Sequence, residues 1–345
     1  VLRSNPAHIG ALNVLGIVLT RLGRFSEAET YLRQASLGAS SDATLYNYGI
    51  VLKALGRPDE ALERFTQALA INDTVAETWN NRGTVFNDLT RPAEALGDFE
   101  KAIQLNPRYA EAILNKGNAL TKLGRPEKAL SAFAAALELK PDFAEAWLGR
   151  AVALRALRQQ DKANYAYDQA LTLNPGLAEA WLGRGNTFFN GGLYDDALAA
   201  YDKAAAAKPD YAEAWLGRGR VLYQCKRYDD ALSAFDKALS CKDALAEAWL
   251  GRGDVYFELK RHRDALADYE TALITKSDLA AAWLARGIVL MKMRRWNEAL
   301  TSIDWALKIK PDIVQVRGRD GVILLGLLAL FAVVALVVLA CFYLR

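Results

Sequence analysis

Histidine is nearly missing from this chain: His8 and His262 are the two in 345 residues. Cysteine is scarce as well, with Cys225, Cys241 and Cys341 and no Cys-x-x-Cys pair. Without clustered His, Cys or carboxylates, neither a metal site nor a nucleophile–base pair can be assembled. The expectation is therefore a non-enzymatic chain with no cofactor and no metal. An excess of one charge is also lacking. The formal net charge is +3, and Lys and Arg are interspersed with Asp and Glu. No basic block suited to tracking a phosphate backbone is present, which argues against nucleic acid as a partner.

What fills the chain instead is repetition. Ala-Glu-Ala-Trp begins at 144, 178, 212 and 246, each time followed by Leu-Gly-Arg, at a constant step of 34 residues. In that register nine units start at residues 9, 42, 76, 110, 144, 178, 212, 246 and 280. Residues 1–8 are expected to be the remnant of a preceding unit: Asn5-Pro6 fits its tail, and Val1 stands where a Met would open a complete chain.

The recurring positions have a steric logic. Position 8 is small (Gly49, Gly83, Gly117, Ala151), positions 20 and 27 are Ala throughout, and position 24 is bulky (Phe65, Phe99, Tyr167, Phe235). Positions 4, 8 and 11 form one stripe of a first helix, and 20, 24 and 27 one stripe of a second. Leu-Gly-Arg-Pro at 55–58 and 123–126 ends the first helix on Gly and opens the second on Pro. One such pair cannot bury its apolar face alone, so the units must stack. Cys225 and Cys241 stand at positions held by Leu in other units, and read as small buried hydrophobes.

Over residues 9–313 this pattern resembles the tetratricopeptide repeat family, matching its Trp, Gly, Tyr, Ala, Phe and Pro at most places. The Leu that usually precedes the Gly is Arg or Lys here, as in Arg82, Lys116 and Arg252. Those side chains are expected to lay their stems along the helix interface with their heads in water. The resemblance implies an all-α, right-handed superhelical solenoid of antiparallel helix pairs, with the first helices lining the concave wall. The fifth unit departs most, with Ala151 for Gly and Arg158-Gln159-Gln160 at the turn, and is expected to be the softest joint.

Positions 5, 9 and 12 form a second stripe on the first helix, which the resemblance places on the concave wall. Apolar residues occupy it in the later units: Leu182, Leu216, Leu250 and Leu284 at position 5, with Phe189, Tyr223, Phe257 and Met291 at position 12. Gly183, Gly217 and Gly251 at position 6 suggest a shallow floor. In the earlier units Asn47, Asn81 and Asn115 recur at position 6, like the asparagine ladder in the repeat arm of O-GlcNAc transferases. Such amides can bond an extended peptide backbone whatever its side chains. Capture of a chaperone's C-terminal carboxylate is rejected, because none of the position-5 residues is Lys.

After a basic linker at 314–320, residues 321–344 carry no charge. At about 1.5 Å per residue, the run is long enough to cross a hydrocarbon core of about 30 Å. It is expected to be a single transmembrane helix. Lys308, Lys310, Arg317 and Arg319 before it, against Arg345 after it, place the repeats on the cytoplasmic side. The function these features indicate is a membrane-tethered protein-interaction scaffold that binds a partner peptide or helix. The alternative is the substrate-recognition arm of a larger enzyme, resembling an O-GlcNAc-type glycosyltransferase, with its catalytic domain elsewhere. Partner identity and oligomeric state are not specified by the sequence.

Overall fold

The computed structural model describes residues 8–38 and 41–313. The span 321–344, expected to cross a membrane, lies outside the described residues. Among those residues, no helix is long and apolar enough to do so.

Among the described residues, eighteen helices follow one another as nine antiparallel pairs. They are α1 Ile9–Arg21 with α2 Phe25–Gly38, α3 Asp42–Ala54 with α4 Pro58–Ile71, and α5 Ala76–Asp88 with α6 Pro92–Leu105. Next come α7 Ala110–Lys122 with α8 Pro126–Leu139, and α9 Ala144–Ala156 with α10 Gln160–Leu173. The remaining four pairs are α11 Ala178–Asn190 with α12 Tyr194–Ala207, α13 Ala212–Gln224 with α14 Tyr228–Cys241, α15 Ala246–Glu258 with α16 His262–Thr275, and α17 Ala280–Lys292 with α18 Trp296–Ile309. The chain divides at Ala180/Trp181 into two compact units.

Within each unit the packing is nearest-neighbour. A second helix packs on its own partner and on the first helix of the next pair, as α6 does on α5 and α7 and α14 on α13 and α15. First helices of successive pairs also touch, as α7 does α9 and α13 does α15.

The position-24 ring is the wedge that sets the spacing. Phe65, Phe99, Phe133 and Phe235 are at most 1% exposed. Full burial of such a ring contributes about 1.5–3 kcal/mol. It fits because position 8 of its own unit has no side chain: a Cβ on Gly49 would fall 2.7 Å from Phe65. The other side of the ring meets position 6 of the next unit. A Cβ on Gly217 would fall 2.5 Å from Tyr201, and one on Gly251 2.6 Å from Phe235. The shallow floor read from the position-6 glycines thus has the ring of the preceding unit packed against it. Gly217 and Gly251 have no Cβ because the preceding ring occupies that space.

Where position 4 is Trp, the indole ties the first helix to the connection before it, as in α5, α13 and α15. The indole N–H of Trp79 donates to the carbonyl of Asp73, that of Trp215 to Pro209 and that of Trp249 to Asp243, at 2.7, 3.0 and 2.8 Å. The Arg preceding the small residue stacks on the same Trp, with Arg82 4.7 Å from the Trp79 ring and Arg252 4.6 Å from Trp249. These guanidiniums also reach the second helix. Arg82 bonds both carboxylate oxygens of Asp98 at 2.8 Å, and Arg252 does the same with Asp268. Burial pushes the Asp98 carboxyl above its usual range and Arg82 pulls it down, with burial the larger influence.

Candidate functional site

In the second unit, α13 and α15 lie side by side, and the stripe read from the sequence runs along them. Phe189, Leu216, Tyr223 and Leu250 line one groove of about 360 Å³ with the Phe235 ring and Gly251. The four stripe residues are half-buried. Leu216 and Leu250 belong to both the groove and the core, since each packs against buried side chains of two neighbouring clusters. Stacking therefore covers part of this stripe and leaves the rest accessible.

The end of α13 fixes Tyr223 at the groove mouth. Lys226 adopts φ 58°, and its N–H bonds the Tyr223 carbonyl at 2.9 Å while Arg227 N–H bonds Leu222. This is a Schellman-type stop, with a left-handed residue just past the helix. The Tyr223 ring then rests 6.1 Å from that of Tyr228 on α14. Phe189 is held in the same way, 6.0 Å from Tyr194 and 5.1 Å beneath the Arg220 guanidinium.

Four polar side chains complete the lining: Arg220, Gln224, Glu247 and Asp254. Sequence reasoning did not name them, although Arg220 and Asp254 hold position 9 of the stripe that it singled out. Asp254 accepts the Tyr269 hydroxyl at 2.9 Å, and Glu247 accepts from Lys276 at 3.3 Å. The groove thus has an apolar floor, one cation and two carboxylates. That set can order an amphipathic segment by side-chain burial and charge.

The other expected residues lie elsewhere. Leu182 packs beside Phe189 and Tyr194 against Tyr201. Phe257 rests 5.6 Å from the His262 ring. Leu284 is 2% exposed, packed on Ile303 and Ile313, and so belongs to the core. The reason is its place in the final described pair, where residue 313 folds over it.

The three ladder asparagines belong to the first unit, and each is tied sideways to the preceding first helix. Asn47 donates to Asn13 at 3.4 Å, Asn81 to the Tyr46 hydroxyl at 3.1 Å, and Asn115 to Asn80 at 3.0 Å. Asn81 also donates to the Glu77 carbonyl at 2.9 Å, which uses both amide hydrogens. Asn80 in turn donates to the Tyr109 hydroxyl at 3.3 Å, and burial pushes that phenol up to about 12. Periodicity could not reveal these lateral bonds, because each joins position 6 to a variable position 5.

Cys225 corrects a sequence expectation. It is exposed and Cys241 is half-buried. Cys225 is the C-cap of α13, where the chain leaves the helix, and the corresponding Leu22 and Leu259 are also exposed.

Tetratricopeptide repeat profiles match residues 46–113, 114–178, 157–212, 182–246 and 242–282, and a second such profile matches 9–36. The chain belongs to the tetratricopeptide repeat family, and its repeat array is a protein-interaction scaffold. Among solved structures it is similar to a tetratricopeptide repeat protein from Parabacteroides merdae. The TM-score is 0.59 at 23% identity, covering 68% of this chain and 93% of that one. It is also similar to the Cut9–Hcn1 hetero-tetramer of the APC/C, with TM-score 0.63, 15% identity and coverage of 89% and 74%. PilF of Pseudomonas aeruginosa aligns with TM-score 0.52, 23% identity and coverage of 60% and 94%. At these identities the likeness concerns the fold. No curated protein sequence gives a significant match.

Proposed function

We propose that this chain binds a short amphipathic segment of a partner protein in the α13–α15 groove. The observation that carries this reading is the convergence of Phe189, Leu216, Tyr223 and Leu250 on one accessible cleft rimmed by Arg220, Glu247 and Asp254. Half-buried aromatic and aliphatic side chains beside fixed charges suit a ligand that buries one face and pairs the other. The repeats contribute binding rather than chemistry. The uncharged run 321–344 supports membrane attachment, with the repeats on the cytoplasmic side, and rests on sequence alone. Tethering would raise the effective concentration of the complex at the membrane without new contacts.

The test places a photo-crosslinking residue at exposed Gln224 in the full chain. A partner adduct should form there and disappear when Arg220→Glu is added. Identical adducts from a crosslinker at exposed Leu37 would end the reading. Alkaline carbonate extraction tests the tether separately: the chain should stay with the membrane pellet, and release into the supernatant would remove the tether alone.

A further inference from the structure

Two departures from the repeat meet at one place in the first unit. At position 4, where six units carry Trp, the fourth carries Ile113. At position 19, six other units carry an acid that pairs with the Arg three residues before it, as in Arg57–Glu60, Arg91–Glu94 and Arg261–Asp264, while the fifth has Gln159 and Lys162 and the sixth Leu193 and Asp196 at these two places. The fourth unit has Lys128 there, so Arg125 is followed by a second cation instead of its counter-ion. Leu12 and Leu45 also replace the Trp, but their units keep the ion pairs Arg24–Glu27 and Arg57–Glu60. Only the fourth unit combines both changes.

The consequence is a groove of about 650 Å³ between α6 and α8, with α7 as its floor. Leu96, Ile113 and Leu120 supply apolar lining, and Arg125, Lys128 and the Lys116–Glu100 pair stand around it. Arg125 and Lys128 are exposed, and neither side chain makes an ion pair or a hydrogen bond among the described residues. This groove shares no residue with the α13–α15 site.

We infer that the α6–α8 groove is a second docking surface, and that its occupant is an acidic amphipathic helix of a partner protein. Charge complementarity carries the choice. An apolar stripe buries against the half-buried Leu96 and Ile103, above the buried Ile113 and Leu120, while carboxylates on its flank supply the counter-ions that position 19 withholds from Arg125 and Lys128. An anionic bilayer fits less well, because the apolar surface is recessed and the Glu100 carboxylate stands on the rim. The inference does not depend on the function proposed for the other groove.

The experiment uses the full chain and a fluorescein-labelled helical peptide with leucines at i, i+3, i+4 and i+7 flanked by glutamates. A second peptide has lysines in place of the glutamates. Anisotropy should show binding of the glutamate peptide and none of the lysine peptide. Lys128→Glu, which gives Arg125 the acid that pairs with its counterpart in six other units, should weaken binding about tenfold. Ile113→Trp, which restores their indole, should abolish it. Both variants install the residue type that the fold already uses, so their thermal melting should match or exceed the parent. Arg220→Glu should leave this binding unchanged. Equal binding of the two peptides, or indifference to both substitutions, overturns the inference. So does Lys128-dependent displacement of the peptide by phosphatidylserine vesicles, which would make the occupant a membrane.

Discussion

Tyr201 donates its hydroxyl to Asn186 at 2.8 Å, joining the two helices of one pair from positions fifteen residues apart. Tyr269 does the same with Asp254 at 2.9 Å. The corresponding pair in the fifth unit is Tyr167 and Val152, and the buried Tyr167 hydroxyl has no hydrogen-bond partner among the described residues.

An unsatisfied buried hydroxyl costs about 1–3 kcal/mol. Tyr167→Phe should therefore stabilise the first unit by about 1 kcal/mol, and Val152→Asn should do so by supplying the acceptor. Urea unfolding followed by hydrogen exchange at α9 and α10 would measure it. Unchanged or faster exchange in both variants would show that the hydroxyl is satisfied.

The turn inside each pair needs a left-handed residue. Gly56, Gly124 and Gly192 supply it in some units, while Arg158, Lys226 and Lys260 hold φ 58–60° with a Cβ. That conformation costs a non-glycine residue about 1–2 kcal/mol, partly offset by the freer unfolded glycine. Lys226→Gly and Lys260→Gly should each stabilise by about 0.5–1 kcal/mol, and the pair should add, because the turns are separate. Thermal melting checks both points.

Arg252 bonds buried Asp268 and exposed Asp236. Removing Arg252 leaves a carboxylate buried without its counter-ion, whereas removing Asp236 deletes only an exposed partner. Arg252→Met should cost about 3–5 kcal/mol and Asp236→Asn less than about 1 kcal/mol. Equal losses in denaturant titration would show that the Asp268 contact contributes nothing beyond a surface pair.

Burial raises the phenols of Tyr46, Tyr48 and Tyr167, and that of Tyr109 to about 12. Unfolded tyrosine ionises near pH 10. Between that pH and about 12 the folded chain holds more protons than the unfolded one, so stability falls as pH rises. The denaturation midpoint should drop steeply above about pH 10, and Tyr109→Phe should flatten the drop. A profile in Tyr109→Phe as steep as the parent's would assign the loss to other groups.

Much of this was legible as periodicity. Gly49 opposite Phe65, the Ala columns and the Gly-Arg-Pro turns recur because every pair solves the same packing problem with the same residues. The groove was half legible. Tyr223 and Leu250 showed as an apolar stripe, but Arg220 and Asp254 did not, because position 9 changes character from unit to unit. The ring that Gly217 accommodates was not legible, since it comes from Tyr201, a residue of the preceding unit.

The sequence by itself determined a stack of helical hairpins and the faces that must be buried, because a constant step repeats the same steric demand in every unit. Only the tertiary structure decided which side chain meets which across the hairpins. It put Tyr201 against Gly217, Asn115 against Asn80, and Leu284 in the core. Each of those contacts depends on the distance between two units, a quantity the spacing of residues along the chain does not contain.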